Sequence, residues 1–382
     1  MGNIKNIFFI GTIVILLSCN CEKPLDISER KYSSNVVWSY EGVGPSNMIR
    51  PAIGNGKTFV AFDSLLVCSN LSNGEKLWEV NLQGYTASQN VIYDKEKVFL
   101  PTANKVFCFN AENGTKNWEV TLPDFVVQVL STLTETSTHL FVAGNNGKVA
   151  KITKLNGAIE LIIPLTQLIW QGYTQAAYEP IGSEIDDRLY VPTGWWTGEE
   201  LRGNLLCYNS VTGEFLWGYD SKGVNGWDIL GCAIIDSITV FSARHTVAAL
   251  NRFTGTKLWN IEIAGDAFWL SPTIDHGTVY IGSTVQAKMY AFDLKTGTIK
   301  WTSEDTRSSI ITLITVKDGK VFFCNNSRIY VLDAETGKTI WWGHPPEHDK
   351  DGISTYSSPV AVGEGYMVCV GSSKVYCLTI PK

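Results

Sequence analysis

The chain has 382 residues, with 31 Lys and Arg against 37 Asp and Glu, a net charge of −6. Apolar residues make up 45% and charged residues 18%, which supplies a core and excludes a disordered chain. The acidic balance and the lack of any Lys/Arg run argue against nucleic acid as a partner. The 13 tryptophans are many for this length, and most of the fold follows from where they stand.

Lys5 precedes an apolar run from Ile7 to Leu17. Its eleven residues are too few to span a bilayer, which takes about 20. They suit the hydrophobic region of a secretory signal. The run ends Leu16-Leu17-Ser18-Cys19, which resembles a bacterial lipobox. Residues 1–18 are then a signal peptide, and Cys19 is the lipid attachment site, with palmitate-type acyl chains; Cys21 is the rival position. Asn20, where Asp would retain a lipoprotein at the inner membrane, points to the outer membrane of a Gram-negative envelope. Residues 19–35 read as the lipidated Cys and a polar tether. No later segment approaches 18 apolar residues, so the body, residues 36–382, is expected to hang from the membrane by its lipid.

That body repeats one motif. Val106 begins V-F-C-F-N-A-E-N-G-T-K-N-W and Met289 begins M-Y-A-F-D-L-K-T-G-T-I-K-W. The glycines are Gly74, Gly114, Gly157, Gly213, Gly255, Gly297 and Gly337, spaced 40 to 43 residues apart except for one interval of 56. Four residues after them stand Trp78, Trp118, Trp217, Trp259, Trp301 and Trp341, with Leu161 filling the gap. Trp38 ends a second half with no first half, and residues 375–379 are a first half with no second. Together they make an eighth unit. Eight units of about 43 residues predict an all-β chain folded as an eight-bladed β-propeller of four-stranded antiparallel blades. The N- and C-terminal strands share one blade and close the ring, which removes sheet edges.

Each part of the motif has a physical reason. The strand before the turn is apolar at successive positions, so both its faces are buried between blades. Six residues before the Gly the side chain is usually small, Cys68, Cys108, Cys207, Ala249 or Ala291, with Val331 and, in the split copy, Cys377; in the worn third unit Lys151 stands there. Four before it is Asn or Asp, which starts a turn. The Gly fits a left-handed position, and the Trp on the returning strand is expected to wedge between blades.

The pattern A/C-x-N/D-x-x-T/N-G-x-x-x-W resembles the tryptophan-docking repeat of the PQQ-like β-propellers over nearly all of the mature chain. An eight-bladed lipoprotein of such repeats is similar to the BamB family, accessory to the outer-membrane β-barrel assembly machinery. The resemblance implies a binding scaffold that contacts periplasmic domains of the central assembly protein and carries no catalytic site.

The residues weigh the same way. Nine Cys could mean disulfides in an exported protein. Four of them occupy the small-residue position, and Cys232, Cys324 and Cys369 fall on predicted strands, so buried free thiols are expected. The resemblance invites a quinone-dependent dehydrogenase, but no adjacent Cys pair and no C-x-x-C-H is present. No cofactor and no metal are expected. His344, His348, Asp349 and Asp351 form the densest group of ligand types, but two prolines keep the histidines off one regular helix. They read as a polar loop, and His139, His245 and His276 as structural. What remains is a set of aromatics outside the lock. Trp170, Tyr173, Tyr178, Trp195 and Trp196 lie in the longer 162–204 insertion, while Trp227, Trp269 and Tyr356 precede predicted first strands. Trp342 is also left over. Long loops with Trp and Tyr bind partners, or they pack over the worn third blade. The leading expectation is a protein-binding, non-enzymatic scaffold in outer-membrane assembly. The alternatives are a carbohydrate- or small-ligand-binding lipoprotein and, less favoured, a quinoprotein-type dehydrogenase.

Overall fold

The computed structural model describes residues 35–382 apart from 43–48, 63, 86, 88–89, 126–132, 145, 166–175, 197–200, 225, 227 and 326, and excludes the side chains at 176, 195 and 196. The described chain is an eight-bladed β-propeller. In blade 1 the strands, here lettered a to d from the axis outward, are Ala52–Gly54, Lys57–Phe62, Leu65–Asn70 and Lys76–Asn81. Blades 2 to 7 follow in chain order with the same meander. Blade 8 takes Ala361–Gly363, Tyr366–Val370 and Lys374–Thr379 from the C-terminus and Val36–Glu41 from the N-terminus. Its a strand lies beside that of blade 1, which closes the ring.

The c strands are buried on both faces, as Val106 to Phe109 show. Their small residue sits directly across from the Trp of strand d. Cys68 pairs with Trp78, Cys108 with Trp118, Cys207 with Trp217, Ala249 with Trp259, Ala291 with Trp301 and Val331 with Trp341. In blade 8 Cys377 pairs with Trp38, across the two ends of the chain. A short side chain there leaves room for the indole.

The turns follow from Asx chemistry. Asn70 Oδ1 accepts from the backbone N–H of Ser72 at 2.9 Å and of Asn73 at 3.3 Å. Asn110, Asn209 and Asn251 do the same in their blades. Where the residue is Asp293, the N–H of Thr296 holds the carboxyl below its usual pKa. The seven motif glycines have φ between 71° and 76°, the left-handed region.

Six of these seven glycines also face the indole of the preceding blade. A Cβ at Gly74, Gly114 or Gly297 would stand 2.7 Å from Trp38, Trp78 or Trp259. The indole N–H reaches past it to a backbone carbonyl of that next blade. Trp38 donates to Leu71 at 2.8 Å, Trp78 to Ala111 at 3.1 Å, Trp217 to Arg252 at 3.0 Å, Trp259 to Leu294 at 2.9 Å and Trp301 to Ala334 at 3.0 Å. Trp118 docks on Gly157 without such a bond, and the carbonyl at that place, Lys154 O, accepts from Lys97 Nζ at 3.0 Å instead. Trp341 is buried against blade 8. At Gly213, which faces Leu161, an added Cβ would stand 3.5 Å from that side chain, ordinary van der Waals distance.

Blade 4 departs from four strands. Its b strand runs Arg188–Trp196 and is flanked by two extra short strands, Ala176–Ala177 and Leu201–Arg202. The insertion therefore extends a blade over at least part of its length. The seven described cysteines are buried.

Trp259→Ala should destabilise the protein by about 3–5 kcal/mol, as truncation of a buried aromatic does. Gly297→Ala strains the backbone and intrudes on the same ring, so the double variant should lose less than the sum. Denaturant titration of the three variants measures both statements; additive losses would mean that the two residues are not one lock.

Candidate functional site: the polar mouth of the ring

In every blade the b–c loop and the d-to-a connection lie on one face, and the a–b and c–d turns on the other. Several d-to-a connections end in a residue followed by Pro, where the chain turns extended into strand a. These residues are Arg50, Glu179, Ser271 and Ser358. The structure gathers the first three around the axis. Arg50 Nη2 donates to Thr315 Oγ1 at 2.8 Å, and that hydroxyl donates to Val360 O at 2.9 Å. Ser271 Oγ donates to Glu179 Oε2. Desolvation presses the Arg50 guanidinium toward a lower pKa, and the Glu179 carboxylate opposes it. Gly231 of blade 5 closes this cluster, since a Cβ there would stand 2.8 Å from Glu179 Oε2 and collide with Ser271.

A second acid lies beside it. Asp228 and Tyr178 converge on the long b strand of blade 4 at Gly194. A Cβ on that glycine would be 2.6 Å from Asp228 Cβ and 3.0 Å from Tyr178 Oη. Gly203 lets the Asp228–Ile229 backbone approach as closely, with Ile229 N–H donating to Thr193 O at 3.1 Å. Burial pushes the Asp228 carboxyl up to about 6, and its charge in turn adds to the burial that raises the Tyr178 phenol.

This mouth can hold charge, but its groups are engaged with one another. Ser271 has Glu179 rather than a His as its partner. Burial pushes the Cys207 thiol up to about 11 and Cys68 and Cys377 up to about 12, whereas, against burial, hydrogen bonds from Cys324 and Ser358 hold Cys369 below the usual thiol value, in the sealed core of blade 8 and away from this mouth. Among the described residues no group of three or more His, Cys, Asp or Glu could hold a metal.

A sequence profile described as outer membrane protein assembly factor BamB matches residues 33–230 and 243–381. The chain belongs to this family. It is 23% identical over 196 residues to outer membrane protein assembly factor BamB of Salmonella typhimurium, which covers 50% of this chain and 46% of that one. It is 26% identical over 182 residues to tetrathionate hydrolase of Acidithiobacillus ferrooxidans, covering 42% of this chain and 36% of that one. The matches span less than half the length of these two curated relatives. The crystal structure of BamB from Moraxella catarrhalis superposes with a TM-score of 0.66 at 15% identity, over 90% of this chain and 99% of that one. The family therefore includes an assembly factor, and its wider relatives include a hydrolase.

The aromatics outside the lock divide by location. Cys19, Trp170, Tyr173 and Trp227 lie outside the described residues. Trp195 and Trp196 end the b strand of blade 4, paired with Arg202 and Leu201. Trp269 is 46% exposed on a d-to-a connection. Tyr178 and Tyr356 are core rather than surface residues, a correction to the sequence expectation. Tyr356 is fully buried and packs edge-on against Tyr376 at 5.1 Å. Both precede strand a closely enough to turn inward with it.

The His-rich loop is also more engaged than an exposed loop. Buried Arg328 donates Nε–H to His344 Nε2 at 2.7 Å and lies over Trp342 at 5.5 Å. His344 stacks on His348 at 3.9 Å, and His348–Asp351 forms one helical turn after the prolines. A guanidinium thus occupies the nitrogen that a metal would need. The sequence reading missed Arg50, Glu179, Thr315 and Asp228. The signal for two of them was present in the R-P and E-P dipeptides, which match the S-P starts of blades 6 and 8.

Asp228 generates a pH prediction. An ordinary Asp loses its proton near 3.8, whereas folded Asp228 keeps it up to about 6. Between those values the folded state binds more protons than the unfolded one, so this residue makes stability fall as pH rises through that window. Asp228→Asn should abolish the fall and leave the protein about 3 kcal/mol more stable than wild type at pH 7. Denaturation at pH 4 and pH 7 checks this, and the same pH dependence in both proteins would refute it.

Proposed function

We propose that this chain is a non-catalytic propeller scaffold of the Gram-negative cell envelope, lipidated at Cys19 after removal of residues 1–18. It serves outer-membrane β-barrel assembly through protein contacts. The observation that carries this is the family match, which runs through all eight blades rather than over a few repeats. The self-satisfied polar mouth supports binding over catalysis. Among the described residues no helix is long and apolar enough to cross a membrane, which agrees with attachment by acyl chains.

Co-purification from detergent-solubilised membranes tests the function. The tagged protein should recover components of the β-barrel assembly machinery, and recovery of none counts against the proposal. Cys19→Ala should move the protein into the soluble fraction; retention in the membrane would remove the anchor from Cys19.

A further inference from the structure

The face opposite the mouth, made of a–b and c–d turns, is not uniform around the ring. The position two residues after the turn-starting residue, Asx or, in blade 3, Thr153, is exposed in each of blades 1 to 7. In blades 1, 2, 6 and 7 it is Ser72, Glu112, Lys295 and Glu335. In the three consecutive blades 3, 4 and 5 it is Leu155, Val211 and Phe253, which are 78%, 57% and 40% exposed. The a–b turn of blade 4 adds Ile185 at its tip, 95% exposed.

These four side chains belong to one continuous stretch of surface. Lys154 N–H bonds Thr138 O at 2.9 Å, and Thr138 N–H bonds Glu184 at 2.9 Å, which joins Leu155 to Ile185. Asp186 pairs with Arg252 at 2.9 Å, and Arg252 lies over Phe253 at 4.6 Å. Ser210 N–H bonds Asp187 O at 2.8 Å, which brings Val211 alongside. Beyond Leu155 a groove of about 390 Å³ opens, lined in part by Leu155, Trp118 and Asn156.

Carboxylates predominate among the exposed charges around this arc, with Lys95, Lys257 and Lys295 at its edges on blades 2, 5 and 6. Exposed Glu184, Asp187, Glu214 and Asp236 stand around it. The cations beneath are engaged: Lys154 with Asp94 and Glu135, Arg252 and Arg188 with Asp186. The four exposed carboxylates belong to blades 4 and 5, which carry three of the four apolar side chains, so the rim at the centre of the arc is acidic. An apolar centre within an acidic rim complements an apolar segment with basic flanks. It opposes an anionic lipid surface, and it opposes a second copy of this chain, which would bring two acidic rims together.

We propose that the Leu155–Ile185–Val211–Phe253 arc docks a protein segment whose apolar side chains are flanked by Lys or Arg. This names a surface for the scaffold proposed above and rests on that function. The test pans a phage-displayed library of random peptides against the detergent-solubilised full chain. Selected peptides should combine Leu, Ile or Phe with Lys or Arg, and their binding should weaken as salt rises. Ile185→Glu and Val211→Glu should each weaken it about tenfold or more, as loss of a central apolar anchor does. Glu335→Ala, on blade 7, should leave it unchanged. The substituted side chains are exposed, so thermal midpoints should stay within a few degrees of wild type.

Acidic selected peptides, no selected peptide, or equal binding by both Glu variants would overturn the proposal. So would phosphatidylglycerol vesicles, or self-association in sedimentation, that depend on Ile185 and Val211. Recovery of assembly components by an Ile185→Glu protein would leave the scaffold function standing and take this surface out of it.

Discussion

Everything in this ring depends on an indole laid against a residue with no side chain. The Trp of one blade rests where the Cβ of the next blade's Gly would be, so the two positions are one interaction. Burying a ring of roughly 200 Å² at about 25 cal/mol per Å² is worth several kcal/mol. The hydrogen bond from Nε1 to the next blade's carbonyl adds direction to a contact that area alone would leave free to slide. Glycine is required twice over, for the left-handed turn and for the space. That double requirement explains why the turn could not drift to Asn, although Asn tolerates the same φ.

The lock also decides what the inner residues can be. Blades held at this spacing bring their a strands together at the axis, where backbone meets backbone. Gly231 faces Ser271 and Glu179 with no room for a methyl group. Charged groups admitted there must find partners inside the ring, because unpaired burial is costly. Arg50 finds Thr315, and Glu179 finds Ser271, each from another blade. The mouth is therefore a consequence of closure, and its polarity also ties together blades that are not sequence neighbours.

The repeat was legible because its spacing is a property of one blade and needs no tertiary knowledge. The split eighth blade was legible for the same reason, since half a motif at each end has one economical completion. The Trp-to-small-residue pairing was not, because a run of letters does not say which side chains face each other across a hairpin. Tyr356 was misplaced on the surface, since a connecting segment that turns into strand a carries its side chain inward. Asp228 had no motif at all; its raised pKa comes from Gly194 and Gly203, which let two segments far apart in sequence close over it. The apolar arc was written in the repeat register, but one turn position becomes meaningful only when blades 3, 4 and 5 are seen to be adjacent.

The joint between blades 3 and 4 shows what happens where the lock is missing. Leu161 would be only in ordinary contact with a Cβ at Gly213, and it has no N–H to offer. Polar stitching is concentrated at this joint and its neighbours. Glu184 takes bonds from Ser137 and Thr138 across blades 3 and 4. Lys154 joins blade 3 to Asp94 of blade 2, and Arg252 joins blade 5 to Asp186 of blade 4. Such contacts are directional and partly exposed, so they hold position with less burial than an indole provides. They also bring carboxylates and long a–b turns to the face that carries Leu155, Ile185, Val211 and Phe253. The same substitution pattern that loosens the ring at one joint thus leaves apolar side chains uncovered beside acidic ones, and it does so in the part of the ring where the repeat is least regular.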